Sequence, residues 1–139
     1  MLHAVAIIGL GVMGQRMLGS MAVNGQFNAV SAWDPDADAR AHTRALYPEI
    51  RIADSPEDAI SGQDTGVVYI ACPPVWHKEH AIAAIKAGHV FYTVSPSTGR
   101  EATVLVVACG HCGREIIRSS ADAVMDNNLD SLRRCGKFN

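Results

Sequence analysis

Three glycines fall within six residues in "IIGLGVMG", directly behind a run of small and branched apolar side chains that starts at Ala4. Glycine at this density is unfavourable inside regular structure, so the backbone must be turning sharply or approaching something closely there. The spacing Gly9-Leu10-Gly11-Val12-Met13-Gly14 is G-x-G-x-x-G, set after a strand-like run and before helically spaced Met13, Met17, Leu18 and Met21. In that setting the first glycine permits a tight turn and the second lets the backbone approach a pyrophosphate. The third lets helix and strand pack closely, leaving the helix N-terminus facing the anion.

The same motif requires an acid about twenty residues on, at the end of a second strand, to accept hydrogen bonds from adenosine ribose hydroxyls. Asp34 stands there, closing "FNAVSAW". The plainer reading is a turn of small residues and an Asp that caps the helix beginning at Pro35. Strand, glycines, helix, strand and acid in that order favour a dinucleotide, and a carboxylate at this position favours NAD over NADP because it repels a 2′-phosphate. Arg40 and Arg44, one to two helical turns further, keep NADP open.

The rest of the chain alternates strand and helix signals. A second helix runs from Pro35 to Tyr47, and a short strand holds Arg51 and Ile52. Ser55, Pro56 and Asp58 open a third helix as N-cap, first residue and capping partner. "GVVYIA" reads as a buried fourth strand, Trp76 to Ala87 as a helix stopped by Gly88, and "HVFYTV" as a fifth strand suited to parallel pairing with the others. The class is α/β, doubly wound, with a mostly parallel sheet and helices on both faces. Further on, "TVLVVAC" fits a strand or a buried helix, "EIIR" a sixth strand, and Ala123 to Arg134 a last helix.

With 139 residues, 48% of them hydrophobic, and a formal charge of -2, the chain reads as an ordinary globular domain without a basic face for nucleic acid. No apolar run reaches membrane-spanning length and no secretory leader is recognisable, so a cytoplasmic location and reduced cysteines are expected. Cys109-Gly110-His111-Cys112 is the one competing motif. It allows a thiol redox pair or two of the about four ligands of a zinc site, with incidental thiols as the plain alternative; no metal is assigned. His3, His42, His80 and His89 read as surface or packing residues, the methionine stripe as core, and Trp33 and Trp76 as neighbours of the cofactor edge.

Taken together, "VAIIGLGVMG", "WDPDADAR" and "VVYIACPPVWHKEHAIAAIKAGHVF" resemble the N-terminal, NAD(P)-binding Rossmann domain of the Gfo/Idh/MocA oxidoreductases, over roughly residues 4 to 96. The resemblance implies hydride transfer between nicotinamide and a carbinol carbon of a sugar- or cyclitol-like substrate in the complete enzyme. It implies cofactor-binding roles for Gly9, Gly11, Val12, Met13, Gly14 and Asp34, with Cys72, Pro73, Pro74 and His77 near the nicotinamide half. His77 would otherwise be a residue that simply packs or caps its helix. The family's Glu-Lys-Pro after the fifth strand aligns with Val94, Ser95 and Pro96, so Ser95 stands at the lysine; the resemblance implies a cofactor-binding place for it, and no catalytic residue is assigned.

The expected organisation is a dinucleotide domain over 1–122 and a helix and tail over 123–139, without the family's substrate domain. The tail reads as diverged, truncated or frame-shifted. A non-catalytic dinucleotide-binding module is the alternative function. A small-molecule substrate and a second copy of the chain stay open as partners.

Overall fold

The computed structural model describes residues 2–62, 64–94 and 99–120. It divides into two compact units, Met1–His89 and Val90–Asn139. The last helix expected over 123–134 lies outside the described residues.

In the first unit, β1 (His3–Ile8) is followed by α1 (Val12–Val23), β2 (Phe27–Trp33), α2 (Ala37–Leu46), β3 (Arg51–Ile52), α3 (Pro56–Ile60), β4 (Val67–Ile70) and α4 (Pro74–Lys86). The strands form one parallel sheet in the order β3-β2-β1-β4. The chain builds outward from β1 through β2 to β3, then crosses back to place β4 on the other side of β1. The order reverses between β1 and β4, which opens a crevice beyond their carboxyl ends.

Period-two alternation explains why both faces are covered. Val5 and Ile7 of β1 and Ala29 and Ala32 of β2 form a buried cluster with Leu10, Leu18 of α1 and Ile50; Met17, Met21, Tyr47 and Tyr69 pack around it. On the opposite face, Ser31 donates from Oγ to the Ala59 carbonyl of α3 at 2.8 Å, so even the buried hydroxyl there is satisfied. The β1–β2 register slips once: Val5 lies opposite Ala29 and Ala6 opposite Ser31, leaving Val30 as the extra residue.

Local chemistry sets the helix ends. Ser55 accepts from the Asp58 N–H as the spacing predicts. At α2 the cap is Asp36, which accepts from the Asp38 N–H, so Asp34 is released from capping. α4 starts two residues before the expected Trp76 because Pro74 takes the first helical position. Gly88, at φ +97°, stops it, and a ring nitrogen of His89 lies 3.0 Å from the Ile60 carbonyl of α3.

The fifth strand differs from expectation. β5 (Tyr92–Val94) is not in the parallel sheet. It pairs antiparallel with β6 (Glu101–Ala108), which pairs antiparallel with β7 (Glu115–Ser119), in a separate three-stranded sheet. "TVLVVAC" is thus strand through Ala108, not buried helix, and "EIIR" belongs to the third strand of that sheet. The methionine stripe is also only partly core: Met17 and Met21 pack inward, but Met13 is 52% exposed.

Candidate dinucleotide site

The glycine loop is built by close backbone approach. Gly9 has φ +102°, and a Cβ on it would lie 2.6 Å from the Cys72 N and 2.8 Å from the Ala71 carbonyl carbon. A Cβ on Gly14 would stand 2.0 Å from the Gly9 carbonyl oxygen, so the first and third glycines occupy each other's space. Around Gly11 a Cβ would meet nothing within 4 Å. Gly11 is also the N-cap of α1, with no side-chain cap and no acid in the first turn, and Val12 beside it is 70% exposed. These are the properties of an anion cradle: open space over the second glycine and helix N–H groups left for a ligand.

Asp34 is tied into the same loop. Its Oδ2 accepts from the buried Leu10 N–H at 2.6 Å and its Oδ1 from the Asp36 N–H at 2.8 Å. An ionised carboxylate has about four lone-pair sites, so two backbone donors leave acceptor capacity for ribose hydroxyls. Arg40 donates to the main-chain carbonyls of Asp34 at 2.5 Å and Pro35 at 3.1 Å, fixing its guanidinium beside the strand end.

Cys72, Pro73 and Pro74 leave β4 on the same edge, against Gly9. Burial pushes the Cys72 thiol up; a backbone hydrogen bond opposes this and the charge of Asp34 adds to it. Cys72 is therefore held as a thiol, not a nucleophilic thiolate. His77 is exposed, and its Nε2 lies 2.6 Å from the Cys72 carbonyl, so as an N–H donor it braces the Pro-Pro turn. The structure thus brings Gly9, Gly11, Val12, Met13, Gly14, Asp34, Cys72, Pro73 and Pro74 to one edge of the sheet, with His77 supporting the turn from the first helical turn of α4. Ser95 lies outside the described residues.

Sequence reasoning missed a third tether. Gln15 donates from Nε2 to the buried Thr43 Oγ1 at 2.7 Å and to the Leu10 carbonyl at 3.2 Å, and Thr43 donates to the Ala39 carbonyl. A lone Thr on the inner face of α2 was the only available sign.

Trp33, at the end of β2, meets His80 of α4 edge-on, ring centroids 6.1 Å apart. Burial pushes the His80 imidazole below its ordinary 6.5; nearby Glu57 and Glu79 oppose this, and His77 reinforces it. The unfolded chain then binds more protons than the folded one just below pH 6.5, so stability present above that pH is lost as pH falls. Urea unfolding between pH 7.5 and about 5 should show this slope, and His80→Gln should flatten it.

The protein-family model of the oxidoreductase family with NAD-binding Rossmann fold, Gfo/Idh/MocA, matches residues 3–93. The chain belongs to this family. Its Gfo/Idh/MocA segment contains every described residue of the candidate site, and the family's fold is NAD-binding. A second model, of a protein family of unknown function (DUF3892), matches residues 57–133, overlapping the first and covering β5 to β7.

Solved structures agree with the fold. The NAD-binding protein from Listeria innocua is 26% identical with a TM-score of 0.57, over 64% of this chain and 26% of that one. Biliverdin reductase from Synechocystis, in complex with biliverdin and NADP+, is 26% identical with a TM-score of 0.58, over 62% and 27%. Myo-inositol 2-dehydrogenase from Lactobacillus plantarum, 23% identical with a TM-score of 0.58 over 64% and 26%, speaks for the fold alone. The chain thus spans about a quarter of the length of these relatives. No curated protein matches it. Among the described residues, no helix is long and apolar enough to cross a membrane, and no three His, Cys, Asp or Glu side chains cluster to hold a metal.

Proposed function

We propose that Gly9 to Gly14, Asp34 and Cys72 to Pro74 bind NAD, and that in the complete enzyme this serves an oxidoreduction at a carbinol carbon of a sugar- or cyclitol-like substrate. The observation carrying the reading is the Leu10–Asp34 lock, which aligns a ribose-binding carboxylate with the open face of the glycine loop. When bound, the dinucleotide would supply hydride transfer at its nicotinamide; the chain's own part is binding and orientation. The α1 N-terminus offers N–H groups of Val12 and Met13 to the pyrophosphate, and Asp34 accepts from the ribose. The Cys72–Pro74 turn, braced by His77, would border the nicotinamide half.

Binding without turnover is the second reading. It is favoured by Ser95, a hydroxyl where the family's lysine would carry a positive charge, since serine is a poor acid or base without an activating neighbour.

Titration with NADH and then NADPH, followed by tryptophan fluorescence and calorimetry, tests the binding step. Saturable binding with NADH preferred is expected; a folded chain that binds neither would sink the proposal. A substrate-dependent change in NADH absorbance, screened across sugars and cyclitols, would separate turnover from binding alone.

A further inference from the structure

The second unit carries a chemical feature that dinucleotide binding does not use. Cys109 directly follows the last residue of β6, and β7 begins two residues after Gly113, with Ala108 paired to Glu115 across the base of the hairpin. Gly110, His111 and Cys112 form the turn. The Gly113 N–H donates to the Cys109 carbonyl at 2.8 Å, and the Cys109 N–H donates to the Arg114 carbonyl at 2.8 Å. Gly113, at φ +69°, makes the left-handed step that returns the chain to β7.

We propose that the tip of this hairpin, Cys109 with Cys112, is a dithiol–disulfide exchange site for low-molecular-weight disulfides. The Gly113 N–H bond to the Cys109 carbonyl closes a five-residue turn in which the two cysteines are the first and fourth residues, so they stand one helical-type turn apart as neighbours. A disulfide needs a Cα separation of about 4.4–6.8 Å, a reach that suits residues one turn apart. The β6–β7 ladder holds the base of the hairpin, so little chain entropy is lost when the ring closes.

Neither cysteine is in a disulfide; Cys112 is exposed and Cys109 half-buried. A Cβ on the intervening Gly110 would meet nothing within 4 Å, so the space above the turn is open to an incoming disulfide. A zinc site is less well served, because it needs about four ligands and no third His, Cys, Asp or Glu joins the pair among the described residues.

The exchange balances without any other reactant. Cys112, the more accessible sulfur, attacks one sulfur of the small disulfide as thiolate, forming a mixed disulfide and expelling one small thiolate. Cys109 then attacks the Cys112 sulfur, expelling the second thiolate and closing the Cys109–Cys112 bond. The protein dithiol loses two electrons and two protons, and the small disulfide is reduced to two thiols.

Trypsin should release residues 101–114, between Arg100 and Arg114, as one peptide bearing both cysteines, which makes the test direct. The full-length chain is equilibrated in glutathione redox buffers, quenched in acid, alkylated, digested and weighed. In oxidising buffer the peptide should become two hydrogens lighter, and dithiothreitol should reverse this. Cys109→Ser should retain one glutathione on Cys112. Cys112→Ser should slow mixed-disulfide formation at the remaining Cys109 by about tenfold or more.

A wild-type peptide that stays fully alkylated in oxidising buffer would overturn the proposal. So would separate glutathione adducts on both cysteines, or a chelator-sensitive protection of both by zinc. These readouts on the wild-type chain do not depend on either variant, nor on whether NADH binds.

Discussion

A Gly11→Ala chain is expected to unfold close to the parent temperature yet bind NADH about tenfold more weakly or worse, a loss of about 1.4 kcal/mol or more. Gly14→Ala should behave in the opposite order, losing about 3 kcal/mol of stability before binding is even considered. The added methyl is the same in both; the difference lies in what it meets. At position 11 the new Cβ points into open space, where the proposed cofactor would lie, and φ there, at -68°, is accessible to alanine. The stability change should stay within about 1 kcal/mol, the size of a changed N-cap.

At position 14 the Cβ falls 2.0 Å from the Gly9 carbonyl oxygen, a backbone atom that no rotamer change can move. Helix α1 must back away from β1, loosening Leu18 against Val5 and Ile7. Thermal unfolding followed by circular dichroism, with NADH titration of each variant, separates the two effects. Equal losses of stability at both positions would contradict the assignment of the open space to the cofactor.

Asp34→Ala is expected to weaken NADH binding about ten- to a hundredfold and to shrink or invert its preference over NADPH. The carboxylate holds the Leu10 and Asp36 N–H groups in addition to the ribose it would meet, so its removal strips charge-assisted hydrogen bonds, each contributing about 1.5–3 kcal/mol. The buried Leu10 N–H loses its partner, so some stability goes as well. NADPH should suffer less, because the 2′-phosphate no longer faces a fixed negative charge and Arg40 is held at the same strand end. Parallel titrations with the two cofactors give the ratio directly. An unchanged ratio would mean that Asp34 serves the loop alone.

The parts of the site legible in the sequence were those governed by local rules. Gly9, Gly11 and Gly14 are spaced by what a strand–turn–helix can sterically tolerate, and Asp34 follows from the length of one α–β repeat. Ser55 and Asp58 show their cap in four consecutive positions. Other features depend on pairings between distant residues.

Gln15 reaches Thr43 only because α1 and α2 lie side by side on one face of the sheet. Arg40 could be read as a charge near the cofactor, but not as a donor that wraps back onto the chain six residues earlier. Met13 falls on the helical stripe, yet it belongs to the first turn of α1 and is exposed. The fifth strand was misplaced for a similar reason. Apolar β-branched and aromatic residues such as those of Tyr92–Val94 suit a parallel and an antiparallel partner alike, and only the pairing with Ala102 and Thr103 decides between them.

The extra residue at Val30 makes β2 behave like two lengths of rule joined by a slip joint. The inner half, from Ser31 to Trp33, is pinned to β1 and to α3 and carries Asp34 in phase with Leu10. The outer half, from Phe27 to Ala29, keeps a separate register against His3 to Val5. A one-residue change in length at the outer end can be taken up at the joint, whereas the same change beyond it would turn the acid to the wrong side of the sheet. Tolerance to insertion and deletion in this strand should therefore be sharply one-sided, and Val30 marks the divide.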